Sequence, residues 1–489
     1  MGKRFKFLRI LLCVLTVAAL TTGMAQAFVP YEPYENTEWN TAAPGVPAYE
    51  PELVLSGLEM GAGTFRDPTD IFVDTEYVLI CDKGNNRIVI LNRKLQFIKE
   101  LKTFTNEGKE EALRSPEGVC FDGEYLYIAD YGNSRVLKTD MEGRIHLVIT
   151  QPEESIYTTA FFHPKRVKVD TEGKIFVVAE SVFQGVMLFG TDGKFESFYG
   201  AAPVQATMEL IINQFWKKIL GKEQQEVMER YVPVEYTDLC LDRNNFVYTC
   251  SFYTKTNMEQ IRKLNYLGDN VYPFTENFGE EHIIFDKGTT VSTSFIDVAV
   301  NDGDFVFALD YTRQRVYVFD KNGNRLTTFG AAGNQQGAFQ KASAIDVDGN
   351  AVYILDSAKG NVTVYEPNSY GEMVFEAVTA YNEADYTGAK DTWQAVLDQN
   401  PNFEMAYRGL GEVYLQEKDY KTALRYFRIG YDREKESAAF AGLRSAFLRE
   451  HIVLLALGLL LLIAAVILVT SPKLRKKMQK SWGRKRGGS

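Results

Sequence analysis

At 489 residues the chain is too long for one ordinary hydrophobic core, and two to four domains are expected. Its 45% apolar and 24% charged residues, with 27 Tyr and 32 Phe against 15 Pro, exclude a disordered chain or a small disulfide scaffold and favour β-rich structure. The net charge of −10 conceals basic ends, four bases in residues 1–27 and eight in the last nineteen with no acid in either, so the body carries −22 and is a poor nucleic-acid binder.

Residues 1–27 read as a secretory signal: Lys3, Arg4, Lys6 and Arg9, an apolar run over 7–20, and Ala25-Gln26-Ala27 as a cleavage site. Cys13 lies inside the apolar run and is not placed as a lipoprotein acceptor. Residues 28–51 hold five of the fifteen prolines among Tyr and Glu, which predicts an extended linker or an arm lying on a surface. Cys81, Cys120, Cys240 and Cys250 lack metal spacing and sit in apolar strand-like runs, as buried free thiols do.

A pattern P-x-D-I-x-V-D, a turn, an alternating strand ending in an acid, then x-x-N-x-R recurs six times, beginning at Pro68, Pro116, Pro164, Tyr236, Phe295 and Ala342. The residue closing the second strand is Asp82, Asp130, Glu180, Ser251, Asp310 and Asp356, in steps of 48, 50, 71, 59 and 46 residues. Such steps fit a four-stranded propeller blade with its loops. The copies resemble the NHL-repeat β-propellers, as does FGAAGNQQGAF over 329–339. The resemblance implies a closed six-bladed, all-β propeller over 52–370, with Glu52-Leu53-Val54-Leu55 available to complete the last blade. Blade four departs from the pattern at Ser251. The recurring Asp and Arg (Asp82 with Arg87, Asp130 with Arg135, Asp310 with Arg315) are expected to hold each blade's own loop.

Between blades three and four, an insertion near 204–231 carries Met208, Ile211, Ile212, Phe215, Trp216, Ile219 and Leu220 at the spacing of one helical face. It either covers the propeller's own apolar surface or docks a membrane partner through Phe215 and Trp216. After the propeller the period becomes helical. Residues 371–450 resemble tetratricopeptide repeats at 34-residue spacing, through Ala377, Ala389, Trp393 and Pro401, then Tyr407, Leu410, Gly411, Tyr414, Ala423 and Phe427. A capping helix over 437–449 is expected to follow and to run into the apolar segment. Residues 452–469 are eighteen in a row without a charge, which predicts one transmembrane helix, and the basic tail 470–489 predicts a cytoplasmic C-terminus with affinity for anionic lipid. The chain is thus expected to be a single-pass type I protein of the cell membrane with its folded domains outside, and the resemblance implies a bacterial source.

For a site, the axis of the propeller is the place to look. Relatives of gluconolactonase type hold a metal from equivalent blade positions, which here are Thr69, Glu117, Lys165, Thr237, Ile296 and Ser343. Only Glu117 could serve a hard cation, so no metal site is expected. His146, His163, His282 and His451 do not make a zinc set, and no nucleophile elbow, zincin helix or P-loop is present. No cofactor is expected. Asp70, Glu117, Lys165, Arg166, Asp238 and Asp297 would give the channel mouth both signs of charge, which suits a polar ligand such as a sugar or peptide. The expected function is a membrane-anchored extracellular binding or scaffold protein with an integral membrane partner; resemblance to membrane-anchored NHL proteins implies company with a carbohydrate ABC-type transport system. The alternative is a gluconolactonase-like or other propeller hydrolase or lyase acting outside the cell.

Overall fold

The computed structural model describes residues 29–36, 42–153, 161–200, 235–252, 259–273, 278–284 and 289–472, with Lys476. The segment expected to be a signal, the insertion bearing Phe215 and Trp216 and most of the basic tail lie outside the described residues. The chain divides into two compact units, the first reaching Phe375 and the second starting at Glu376.

The first unit is a six-bladed propeller. Blade one runs Asp70–Val73, Tyr77–Asp82, Arg87–Asn92 and Phe97–Leu101, each strand antiparallel to the one before. The inner strands of the other blades are Gly118–Phe121, Pro164–Val169, Tyr236–Leu241, Phe295–Val300 and Ala342–Asp348. In the second strands almost every side chain is buried, because both faces of a blade are covered by its neighbours. Along Tyr77–Asp82, Val78 and Ile80 join Leu355 and Val362 of blade six, while Leu79 and Cys81 join Val119 and Ile128 of blade two. Each such buried aliphatic contributes roughly 1.5–3 kcal/mol of transfer free energy.

The ring closes by pairing the last strand of the propeller, Asn361–Pro367, with Tyr49–Ser56, in the register Val362 to Leu55 and Val364 to Leu53. That strand starts three residues before the expected boundary at 52. The Pro/Tyr-rich arm lies on the propeller. Tyr31 donates its hydroxyl to the Tyr49 carbonyl at 2.7 Å, and Tyr34 donates to Glu280 at 2.8 Å while lying beneath the Arg315 guanidinium.

The repeated acid works as a clasp. Asp82 accepts from the Arg66 amide at 2.8 Å, from Asn85 at 2.8 Å and from Arg87 Nε at 2.7 Å. Asp130 does the same with Arg114, Asn133 and Arg135, each at 2.8 Å. Blade four, with Ser251 at that position, shows three strands among the described residues; there the Ser251 amide donates to the Gln260 carbonyl at 2.9 Å and the Gln260 side chain donates to the Thr293 carbonyl at 2.9 Å.

The second unit is helical. Helices Tyr386–Gln399 and Tyr420–Ile429 start 34 residues apart, each after a left-handed residue (Ala384, Lys418; φ 62° in both) and a capping Asp385 or Asp419. The helix Glu404–Gln416 packs between them. Trp393 lies on Gly409 and Phe427 on Gly411 so closely that a β-carbon at either glycine would collide with the ring. The final helix runs unbroken over Arg433–Thr470, so the helix expected over 437–449 starts four residues earlier and continues into the apolar segment. Its segment before the apolar run is rich in Ala, Leu, Arg and Glu and has no proline, so nothing stops it. At about 1.5 Å per residue its 38 residues extend roughly 57 Å. This is the one helix among the described residues long and apolar enough to cross a membrane.

Candidate functional site at the channel mouth

Because the six inner strands run side by side around the axis, residues at equivalent repeat positions form rings. The outermost ring is Thr69, Glu117, Lys165, Thr237, Ile296 and Ser343, and all six line a cup of about 600 Å³. A second ring comes from the residue following each second strand. Lys83, Phe252, Tyr311 and Ser357 occupy it, and Phe183 enters from the longer turn of blade three. The sequence did not reveal this ring, because its members share no residue type and no common motif marks them. Tyr131, the blade-two member, stacks its ring on His163 at 4.7 Å, and the His163 ring nitrogen meets the Tyr131 carbonyl at 3.4 Å.

The floor of the cup is Arg166. It donates to the carbonyls of Glu117 at 2.9 Å and Thr69 at 3.2 Å, and pairs with Asp238 at 3.1 Å and Asp297 at 3.9 Å. One guanidinium thus ties blades one, two, four and five to blade three and closes the channel under the cup. Gly118 makes room for this, since a β-carbon there would lie 2.6 Å from the Lys165 carbonyl.

Glu117, Lys165 and Arg166 therefore face the cup, as the sequence predicts. Asp70, Asp238 and Asp297 gather at the same axis but lie one layer deeper, buried and outside the lining. The pleat turns them toward the neighbouring blade's backbone or toward Arg166. Asp70 accepts from the Val119 amide at 2.8 Å and Asp238 from Val298 at 3.1 Å. The layer below repeats the device, with Asp346 accepting from Val73 at 2.7 Å. Lys168, in that deeper layer, lies 5.3 Å from the centre of the Phe72 ring.

Electrostatics follow from this crowding. Burial pushes the Asp70 carboxyl up against the pull of Arg166 and Lys168. Burial and the adjacent Asp238 push Asp297 up further. Asp346 is raised to about 6 by burial, with Lys168 opposing. For Arg166, burial works against the charge, yet Asp70, Asp238 and Asp297 outweigh it and hold the guanidinium charged. In the cup, Lys83 pairs with Glu117 at 2.6 Å, Lys165 with Glu235 at 3.2 Å and Lys341 with Asp67 at 3.5 Å. Among the described residues no three His, Cys, Asp or Glu side chains converge to hold a metal, and Glu117 has no carboxylate partner in its ring. The four cysteines among the described residues are buried free thiols, and burial raises Cys120 to about 12, leaving it without nucleophilic character.

Residues 289–386 match a family model, DUF5128, described as a 6-bladed beta-propeller. No curated protein sequence matches the chain. Among solved structures it is similar to virginiamycin B lyase from Staphylococcus aureus, at 9% identity and a TM-score of 0.39, over 65% of this chain and 99% of that one. It is also similar to the PQQ-bound form of aldose sugar dehydrogenase from Streptomyces coelicolor, at 10% identity and a TM-score of 0.39, over 66% and 99%. At that distance the likeness concerns the fold alone.

Proposed function

We propose that the protein is a membrane-anchored receptor that binds a small polar ligand in the channel cup on the outer face of a cell membrane. The observation that carries this reading is the cup itself: every blade contributes a residue to it, and Arg166 seals its base, so it is a blind pocket of ligand size. In this reading the blades are NHL repeats and the 34-residue helical hairpins are tetratricopeptide repeats. The apolar part of the last helix is a single-pass type I anchor. The tail from 470 binds anionic lipid at about 1 kcal/mol per base near the surface. An integral membrane protein is the proposed partner of the repeats or of the insertion.

The test uses the full chain in lipid nanodiscs. A polar ligand should raise the thermal midpoint of the wild type and leave Lys165→Met unchanged. Mass spectrometry of the incubated ligand separates binding from catalysis. Conversion that is lost in Glu117→Ala would replace the receptor with the hydrolase or lyase reading.

A further inference from the structure

We infer that the cup takes an uncharged carbohydrate of one or two sugar rings. The inference rests on the reading of the cup as a ligand site and names the class of ligand. Each charged side chain lining the cup already has an opposite partner: Asp67 with Lys341, Lys83 with Glu117, Lys165 with Glu235, and Arg166 with Asp238. A ligand with net charge, or a peptide terminus, would have to break one of these pairs or meet a like charge. A neutral polyol breaks none, because one hydroxyl can donate to the carboxylate of a pair and accept from its ammonium at once.

Two of the three ring hydroxyls are already engaged. Ser343 donates to the Pro68 carbonyl at 3.0 Å and Thr237 to the Phe295 carbonyl at 3.1 Å, both across blade seams. Around the pairs stand aromatic side chains that remain open to solvent: Phe183 at 40%, Tyr311 at 47% and Phe252 at 48% exposure. Flat apolar faces beside paired charges fit a molecule with hydroxyls at its edge and C–H groups on its faces. Sugar rings have that shape. A volume of about 600 Å³ limits the bound portion to one or two of them.

The test is calorimetric titration of the full chain in lipid nanodiscs, which avoids saccharide detergents. The probes are glucose, maltotriose, cellotriose and chitotriose, with trigalacturonate, a deacetylated chitotriose and trialanine as charged counterparts. A neutral saccharide should bind, with affinity changing less than about threefold between about 50 and 500 mM salt. Tyr311→Ala and Phe183→Ala should each weaken it at least tenfold with the thermal midpoint kept. Binding confined to the charged probes, weakening tenfold or more over that salt range, overturns the uncharged class and leaves the cup a ligand site. Binding of no probe, or binding indifferent to both substitutions, overturns the cup reading as well.

Discussion

Arg166 sits where five blades meet, and its substitution should show what a buried ionic hub contributes. Arg166→Met leaves Asp238 and Asp297 buried without their cation and the Thr69 and Glu117 carbonyls without their donor. A loss of about 3–5 kcal/mol is expected in denaturant unfolding of the full chain, with Asp238→Asn in the same background restoring part of it. A pH dependence belongs to Asp346. Its folded value of about 6 lies above the roughly 3.9 of an unfolded aspartate, so its contribution is complete below about pH 4 and is lost as pH rises through 6. Between those limits the wild type should lose about 1–3 kcal/mol relative to Asp346→Asn, which keeps an acceptor for the Val73 amide and cannot ionise. Parallel melting curves for the two proteins across pH 4–7 would refute the assignment.

Single blades and hairpins fail in different ways. Removing the clasp with Asp130→Ala leaves the Arg114 amide, Asn133 and Arg135 without their shared acceptor, at a cost of about 1–3 kcal/mol. The damage is expected to stay local. Hydrogen exchange should accelerate at the Arg114 amide and the turn 131–134, and leave blade five unchanged. In the helical unit, Gly409→Leu pushes a branched side chain into the seat of Trp393. It should separate Tyr386–Gln399 from Glu404–Gln416 at a cost of about 1–3 kcal/mol, read as a shift in Trp393 fluorescence.

For the whole molecule the question is sidedness. The apolar segment 452–469 continues the helix that begins at Arg433 with no Gly/Ser-rich spacer between, so a flexible tether is missing. Protease added to intact protoplasts should digest everything except a C-terminal fragment starting near 450. Protection of the propeller would reverse the proposed topology. For the insertion, Phe215→Ala with Trp216→Ala should abolish co-purification of an integral membrane protein if that segment docks one, and unchanged co-purification would move the contact elsewhere.

The amino-acid sequence by itself determined the number of blades, because the two-strand pattern recurs six times, and in four of the blades Asp82, Asp130, Asp310 and Asp356 mark the turn that holds the loop. It likewise determined the 34-residue helical period, through glycines facing aromatic rings, and the apolar span, through the absence of charge. The closing strand was legible except for its first three residues and its last, Ser56. Tyr49, Glu50 and Pro51 read as arm because proline and glutamate seldom mark a strand, and only pairing with Tyr365, Glu366 and Pro367 makes them one. The site was half legible. Equivalent positions in a repeat predict a ring, so Glu117 and Lys165 are found at the mouth, and Arg166 beneath them. Which charged residues face a ligand and which face a neighbouring backbone was decided by the pleat and by the distance between blades, which buried Asp70, Asp238 and Asp297. The aromatic second ring was decided there too, since residues 83, 252 and 311 share no residue type and only closure of the ring brings them together.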